Sequence, residues 1–514
     1  MAQQDNYAAI AKENLALKAE RDDLKRQLAW FQKQLFGQKS ERRPVEANLD
    51  QLPLDGLLGE TATLPPVEKE TITYERGKAK KRRSDACVTE TGLRFDDSVP
   101  MEVIAVDAPE LTGPDADQYE VIDTHSVHRL AQRPASFVVL RFDTPVVKRK
   151  DTGKISNTPA PAGVLDRSLA DVSFLAGLLI DKFQYHLPLY RQHQRLTQAG
   201  ITLSRATLTN LGKRSIDLLR PIVEAQLRHV LTSKVLAMDE TPIRAGPAGK
   251  GKMNTGYFWP VYGDADEIVF TYASTRAKAH IDKVLSAHFS GTLVSDGYVA
   301  YARYTAARDD VVHAQCWVHS RRQFIDAEDA EPDRVAVALQ YIRELYAIEA
   351  KIAAQGHDDD RKRRDRLEQS KAVVDGFFAW CEQQLHDDKL LPDNPLIKAV
   401  NYVLTRQDAL RVFLEDPAVP LDTNHLERGL RPIPMGKKNW IFCWTELGAE
   451  HVGIIQSLIC TCKLQGIDPY TYLVDVLQRV GVHPASDVES LTPRIWKEKF
   501  AANPMRSALY GARQ

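Results

Sequence analysis

Residues 234–242 are Lys-Val-Leu-Ala-Met-Asp-Glu-Thr-Pro, and residues 291–298 are Gly-Thr-Leu-Val-Ser-Asp-Gly-Tyr. Each stretch is an apolar run that ends in an aspartate, Asp239 in the first and Asp296 in the second. A continuous apolar run is typical of a strand that is covered on both faces of its sheet. A carboxylate at the end of such a strand is costly to desolvate unless a cation or a donor meets it. These two strand-end acids therefore indicate one shared metal site.

A third acid, Glu427, lies far downstream in the stretch 422–432, which is Asp-Thr-Asn-His-Leu-Glu-Arg-Gly-Leu-Arg-Pro. Carboxylate oxygens suit Mg²⁺ or Mn²⁺ rather than zinc, and two such ions would activate water and stabilise the leaving oxygen in phosphodiester cleavage. The alternative is coincidence, because the chain has 69 acidic residues and Asn424 followed by Glu427 also fits a helix capping box. Glu240 is expected to point to the sheet face opposite Asp239, since side chains alternate along a strand.

Seven short motifs are spread along nearly the whole chain. They are 186–192 His-Leu-Pro-Leu-Tyr-Arg-Gln, 238–242 Met-Asp-Glu-Thr-Pro, 295–298 Ser-Asp-Gly-Tyr, 316–322 Cys-Trp-Val-His-Ser-Arg-Arg, 424–428 Asn-His-Leu-Glu-Arg, 430–432 Leu-Arg-Pro and 436–440 Gly-Lys-Lys-Asn-Trp. In these motifs and their order the chain resembles bacterial transposases of the insertion-sequence-66 family. The resemblance implies a DDE transposase with an RNase H-like core, with Asp239, Asp296 and Glu427 on the three catalytic positions. It also implies terminal inverted repeats as the DNA substrate and accessory proteins encoded by the same element.

The residues around the first two acids predict a mixed five-stranded sheet with helices, and this RNase H-like core begins at residues 233–323. Three meandering strands, a crossover helix around 277–288 and two more strands place the first and fourth strands side by side, so that Asp239 and Asp296 can meet. Residues 324–420 carry helical spacing and predict a helical insertion. The core resumes over 421–450 with the third acid, and 451–514 form a C-terminal helical segment. The fold class is therefore α/β and multidomain.

The N-terminal region predicts self-association. Ile10, Leu17, Leu24 and Phe31 recur every seven residues, so residues 1–40 are predicted to form a coiled coil that makes a homo-oligomer. A solitary amphipathic helix packed on its own chain is the alternative. Residues 41–85 are a Pro-rich basic linker, and its run Lys-Ala-Lys-Lys-Arg-Arg at 78–83 is either solvated or in contact with DNA phosphates.

Residues 86–165 predict a small β-rich domain. Its short β-like runs are 101–106, 119–122 and 136–142. The family usually carries a zinc ribbon here, but Cys87, His125 and His128 do not make a four-ligand site. No zinc is therefore expected.

Residues 166–232 are predicted to be helical. Residues 187–211 have the spacing of a helix, a Gly turn and a second helix that Ser204 caps. This is helix-turn-helix spacing, which would present Arg205, Thr209 and Lys213 to a DNA groove. A plain pair of core helices is the alternative.

Two further clusters bear on DNA. Cys316 and His319 resemble an element that follows the second acid in several DDE groups, although a buried thiol and a hydrogen-bonded core histidine are favoured. Cations and aromatic rings near Glu427 suit phosphate contact and stacking on unpaired bases. The alternative is a protein rim packed by tryptophan, with its lysines in solvent. Asn424 is predicted to be a supporting residue beside the third acid. The residues predicted to bind DNA are Arg205, Lys213, Arg321, Arg322, Arg428, Arg431, Lys437, Lys438 and Trp440.

Composition sets the remaining bounds. The chain has 514 residues, 27% of them charged, and a net charge of −1, so any basic surface is local. The longest apolar run is far shorter than a membrane span, no signal segment is evident, and the six cysteines look like reduced thiols. We therefore expect a cytoplasmic bacterial protein, nucleoid-associated when bound to double-stranded DNA, that does not engage membranes. The rival functions are an RNase H-like nuclease without strand transfer and a non-catalytic DNA-binding regulator derived from a transposase.

Overall fold

The computed structural model describes residues 92–511, except 97–98, 134–135, 250–251, 286–288 and 442, together with Lys18 and Arg21, which are both helical. The chain divides into two compact units, residues 1–83 and residues 84–514. The predicted coiled coil and basic linker lie outside the described residues, apart from those two positions. The described part of the second unit has a mixed α/β architecture. No helix among the described residues is both long and apolar enough to cross a membrane.

The first sheet of the second unit has four strands in the order β2-β4-β3, and β5 pairs with β4. The three predicted β runs fall within β2, β3 and β4. The β3–β4 hairpin is much longer than predicted. Its backbone pairing continues through polar, largely exposed stretches of β3, which have no apolar pattern to mark them as strand in the sequence. The elements are β1 Arg94–Phe95, β2 Met101–Ala105, α1 Pro109–Thr112, a 3₁₀ turn Ala116–Gln118, β3 Tyr119–Arg133, β4 Ser136–Arg149 and β5 Ile155–Asn157.

Helices dominate the next segment, as predicted. The Ser204 Oγ accepts a hydrogen bond from the Thr207 backbone N–H at 3.0 Å, so the predicted N-cap of the second helix is confirmed. Gly200 has φ +81°, which permits the turn between the two helices. The second helix is 26 residues long, and its C-terminal half packs on the central sheet. The elements are α2 Val172–Phe183, α3 Leu189–Gln198, β6 Ile201–Thr202, which pairs with β1, and α4 Arg205–Val230.

The central sheet has the strand order β10-β9-β7-β11-β12, with β8 paired to β9. β7 is antiparallel to β9 and parallel to β11, so the first and fourth predicted strands are neighbours. The prediction of five strands was wrong, since β8 is a sixth. It was missed because Pro242, Gly246, Pro247 and Gly249 are unusual in strands, although a peripheral strand tolerates them. The elements are β7 Val235–Met238, β8 Thr241–Gly249, β9 Lys252–Gly263, β10 Glu267–Ala273, α5 Lys278–Leu285, β11 Gly291–Ser295, α6 Val299–Thr305 and β12 Val311–Gln315.

Residues 324–420 are helical in the structure. Their core is an aromatic cluster in which the fully buried Trp317 ring contacts the rings of Phe377, Phe378 and Phe413. The buried Arg366 guanidinium donates to Glu349 and to three backbone carbonyls, which offsets the cost of burying its charge. The elements are α7 Trp317–Ile325, α8 Pro332–Gln355, α9 Asp359–Asp365, a π turn Arg366–Ser370, α10 Lys371–Leu385, α11 Pro395–Leu404 and α12 Gln407–Glu415.

The C-terminal segment closes one edge of the central sheet. The outward backbone N–H groups of Ile268 and Phe270 on β10 donate to the hydroxyls of Thr461 and Ser457. A Cβ at Gly453 would lie 2.6 Å from the Phe270 carbonyl oxygen, so glycine permits this close approach. The edge is therefore protected from pairing with another chain. The elements are α13 Asn424–Leu430, α14 Pro432–Trp440, α15 Glu446–Leu464, α16 Pro469–Arg479, a 3₁₀ turn Ala485–Leu491, α17 Pro493–Lys499 and α18 Ala508–Gly511.

Candidate active site

Two of the predicted acids lie side by side at one edge of the central sheet. Asp239 directly follows β7 and Asp296 directly follows β11. These strands are parallel neighbours, with Leu236 opposite Leu293, so their carboxyl ends coincide. One carboxylate oxygen from each of Asp239, Glu240 and Asp296 lies within 4.8 Å of the other two. Among the described residues this is the only such group of three or more His, Cys, Asp or Glu side chains.

Glu240 belongs to this acidic group, and the prediction that it points to the opposite face was wrong. β7 ends at Met238 and β8 resumes at Thr241, so residues 239 and 240 make no strand pairing. The register places Trp259 and Pro260 of β9 opposite this gap, and proline has no N–H to donate. The strict alternation of a strand is therefore not imposed at Glu240. The sequence offered one sign that Glu240 belongs to the site, which is its position directly after Asp239.

The Glu240 side chain is held by two donors that the sequence did not reveal. The Tyr301 hydroxyl donates to Glu240 Oε2 at 2.8 Å, and Arg276 Nε donates to Oε1 at 2.7 Å. Burial raises the pKa of Glu240, and the charge of Asp296 adds to this, whereas Tyr301 and Arg276 oppose it. The Arg276 guanidinium also lies 4.0 Å from the centroid of the Tyr298 ring. Glu240 is thus fixed against α6 and the segment that precedes α5, while its charge stays beside the two aspartates.

The third predicted acid approaches from a different element. Glu427 lies in the first turn of α13, and its Oε1 is 3.7 Å from His319 Nε2 and 3.7 Å from an Arg322 guanidinium nitrogen. Burial raises the pKa of Asp239 to about 7, and the negative charges of Glu240, Asp296 and Glu427 contribute to the rise. The other three carboxylates therefore all act on Asp239. Glu427 is nevertheless not part of the tight oxygen group formed by the other three.

Contacts with the residues just before the helical insertion, and with α8 inside it, position α13. The Trp317 backbone N–H donates to the Leu421 carbonyl at 3.1 Å, and the Thr423 backbone N–H donates to Cys316 Sγ at 3.3 Å. The Tyr346 hydroxyl of α8 donates to Asp422 Oδ2 at 2.8 Å. Cys316 is thus a buried thiol, as favoured from the sequence, and burial raises its pKa.

The side chains around α13 correct two of the simpler expectations. His319 was expected to be a hydrogen-bonded core histidine, but its Nε2 faces Glu427 Oε1 at 3.7 Å and its buried Nδ1 has no hydrogen-bond partner among the described residues. The capping box is absent at α13, since its N-cap is Thr423, which makes no side-chain cap hydrogen bond. Asn424 lies inside the helix, and its side-chain amide donates to Asp422 Oδ2 at 2.6 Å.

The other residues predicted to contact DNA differ in exposure. Arg321, Arg428, Arg431 and Lys438 are exposed around α7, α13 and α14. Lys437 is half-buried and its Nζ donates to the Pro242 carbonyl at 3.1 Å. Trp440 is half-buried against the backbone of Gly436, while the side chain of Trp444 is 76% exposed. Trp444 is therefore much the more exposed of the two residues.

Arg205 and Lys213 are exposed on the first half of α4. The Arg205 guanidinium lies over the Tyr190 ring of α3 at 5.9 Å, so the two predicted DNA-reading helices contact each other there.

Comparison with known proteins identifies the family. Residues 167–451 match the model described as the transposase IS66 family. The chain belongs to the IS66 transposase family. Residues 457–494 of this IS66 member match the IS66 C-terminal element, and residues 23–86 match an element described as "Transposase C of IS166 homeodomain". The resemblance stated from the motifs is confirmed.

This IS66 member is also similar to proteins of Sinorhizobium fredii. It is 28% identical to "Uncharacterized protein y4hP" over 504 residues, which cover 93% of this chain and 89% of the relative. It is 30% identical to "Uncharacterized protein y4jD" over 360 residues, which cover 67% and 69% of the two chains. The IS66 match to residues 167–451 contains all four carboxylates and the whole helical insertion.

Proposed function

We propose that this chain is a DDE transposase that binds the ends of an insertion sequence and catalyses metal-dependent strand cleavage and strand transfer. The observation that carries the proposal is the convergence of Asp239 and Asp296, at adjacent strand ends, with Glu427 from a helix far along the chain. Membership of a transposase family supports the same activity. The strand order, with the first and fourth strands parallel and adjacent, supports an RNase H-like core.

The acidic group fits divalent cations. Carboxylate oxygens are the ligands of Mg²⁺ and Mn²⁺, and three of them converge within 4.8 Å. Their mutual repulsion and burial raise the pKa of Asp239 to about 7, a cost that a bound cation would relieve. Asp239 and Asp296 would hold one ion between them, and Glu427 would complete the coordination of a second. The bound ions would supply activation of the attacking water and stabilisation of the departing oxygen.

The remaining residues of the site would orient the DNA and the acids. Arg322 and His319 would hold the Glu427 carboxylate, and Arg322 is exposed enough to contact the scissile phosphate as well. Arg276 and Tyr301 would hold Glu240, so that a fourth negative charge stays close to the cation-binding oxygens. No covalent bond between the protein and DNA is required. The released 3′ hydroxyl would be the nucleophile for joining to target DNA at the same acids.

The proposed partners follow from the exposed cations and the matched elements. Arg428, Arg431 and Lys438 would contact phosphates of double-stranded DNA next to the site, and Arg205 and Lys213 would contact DNA from α4. The N-terminal match to an element described as a homeodomain supports DNA binding there too. We further propose a cytoplasmic homo-oligomer formed through residues 1–40, acting on terminal inverted repeats and target DNA with accessory proteins of the same element.

The experiment that tests the proposal is a combined cleavage and joining assay. The substrates are an intact duplex with the inverted-repeat end from the element that encodes this chain and a precut version of it. We expect Mg²⁺- or Mn²⁺-dependent cutting of the first and joining of the second to target DNA. Cutting without joining would identify a nuclease. Binding without either reaction would identify a non-catalytic regulator.

A further inference from the structure

A polar cleft of about 530 Å³ lies beside the acids, between the central sheet and the helical insertion. This volume is within the range of roughly 300–1,000 Å³ that is common for ligand sites. The core wall comes from the segment after Asp296 and from β12, and the insertion wall comes from the turn between α11 and α12. The lining residues are Gly297, Val299, Ala302, His313 and Gln315 on the first wall and 404–409 on the second.

The cleft is continuous with the site because Gly297, which lines it, directly follows Asp296. The Arg406 guanidinium of the insertion donates to the Gly297 carbonyl at 3.1 Å. The Tyr402 hydroxyl approaches so closely that a Cβ at Gly297 would lie 2.2 Å from it. A DNA strand whose phosphate lies on the acids would therefore place an adjacent nucleotide at the mouth of this cleft.

The lining suits a flat, uncharged ligand with a hydrogen-bonding edge. Val299, Ala302 and Leu404 offer apolar surface, while Gln315 and Gln407 offer amides that both donate and accept. Glutamine amides pair with the edge of adenine through two hydrogen bonds. A nucleobase has this combination of apolar faces and a polar edge.

The charges of the lining disfavour a phosphate in the cleft. Arg406 and Asp408 offset each other within it. The Arg406 guanidinium is already engaged by the Tyr402 ring at 4.0 Å from the centroid. Its Nη atoms donate to the Tyr402 carbonyl, the Thr405 hydroxyl and the Gly297 carbonyl, so these donors are already used and do not face a phosphate.

We propose that this cleft receives one unpaired nucleobase of the DNA substrate, next to the reacting phosphate. The base would leave the stack, lie against Val299 and Ala302, and present its edge to Gln315 and Gln407. The inference rests on the proposed function, because it assumes that the acids hold a DNA strand. Extrusion of a base costs its stacking and pairing energy, which the contacts in the cleft would offset.

The test uses a precut end duplex with 2-aminopurine, a fluorescent adenine analogue, at one position at a time around the reacting phosphate. Binding of the full-length protein should raise the fluorescence several-fold at one position, because the analogue brightens when it unstacks. Ala302→Trp, which fills the cleft from an exposed position, should abolish that rise. Ala306→Trp, at another exposed alanine four residues further on that does not line the cleft, is the matched control and should keep the rise.

An abasic nucleotide at the responsive position should restore the joining activity that Ala302→Trp lowers. No rise at any position, or an equal rise in Ala302→Trp, would overturn the inference. Asp239→Asn separates this inference from the proposed function, since it should lose cleavage and joining but keep the rise. If the wild-type protein shows the fluorescence rise but neither cuts nor joins DNA, the base-binding role of the cleft stands and the transposase activity is rejected.

Discussion

The strand-borne acids and the helix-borne acid reach the same site by different physical means. Asp239 and Asp296 are placed by backbone pairing of β7 with β11, whose register sets Leu293 opposite Leu236. Glu427 is placed mainly by side chains, through Cys316 Sγ, the Tyr346 hydroxyl and the packing around Trp317. Half of the site therefore depends on the central sheet, whereas the other half depends on the helical insertion and the residues that lead into it.

Removing one charge should have the largest effect and should not distinguish the two halves. We expect Asp239→Asn, Asp296→Asn and Glu427→Gln each to reduce cleavage and strand transfer to the background rate, because each change keeps the shape but removes a ligand charge. Gel assays of both reactions measure this, with circular dichroism as the folding control. Glu415→Gln, which removes an exposed charge that pairs with Arg363 in the insertion, is the matched control and should retain cleavage. If Glu427→Gln is active and Asp422→Asn is not, the third acid is Asp422.

Emptying the aromatic cluster of the insertion should separate the halves. Trp317→Ala removes a fully buried ring and should cost about 3–5 kcal/mol of unfolding free energy. Cleavage should fall because Glu427 loses its support. Titration with Mg²⁺ should still show an ion binding at the carboxylates of Asp239 and Asp296. Leu458→Ala on α15 is the control, since it also destabilises the protein but leaves the insertion intact. If both variants lose the same stability and the same cleavage activity, Glu427 does not depend on the insertion more than the strand-borne acids do.

A single hydrogen bond of the insertion should have a smaller effect. Tyr346→Phe removes the donor to Asp422, and a hydrogen bond to a charged group contributes about 1.5–3 kcal/mol. We expect cleavage to slow by about tenfold or more, without a matching change in DNA affinity. Tyr341→Phe, on the same helix, is the control. A cleavage rate that is the same in both variants would show that α13 is held without Tyr346.

The smallest effect is expected at the exposed cations beside the helix-borne acid. Lys438→Ala should flatten the salt dependence of duplex binding by about 0.9 log unit per lost phosphate contact. Lys437→Ala should change the slope less, because its Nζ is already used by the Pro242 carbonyl. Fluorescence anisotropy at several salt concentrations measures both. A steeper change for Lys437→Ala would place the DNA on the opposite side of α14.

Local patterns predicted most of the elements correctly. Short stretches of sequence show the apolar runs before Asp239 and Asp296, the Ser204 cap and the helices of residues 324–420. The order of the predicted elements along the chain gave the strand order that brings the two acids together. The prediction of Glu240 failed because it assumed a regular strand through residues 239 and 240. The interruption depends on Pro260 of a different strand, which no local pattern reveals.

Motifs and periodicities of a few residues were enough to identify the family, most of the elements and the strand-end acids. The tertiary structure was needed to show that Glu240 lies with Asp239 and Asp296, that Arg276 and Tyr301 hold it, and that Tyr346 and Cys316 position α13. The reason is distance along the chain. The hydrogen bonds made by Arg276, Tyr301, Tyr346 and Cys316 join residues 36 to 107 positions apart, and packing of whole elements brings those residues together.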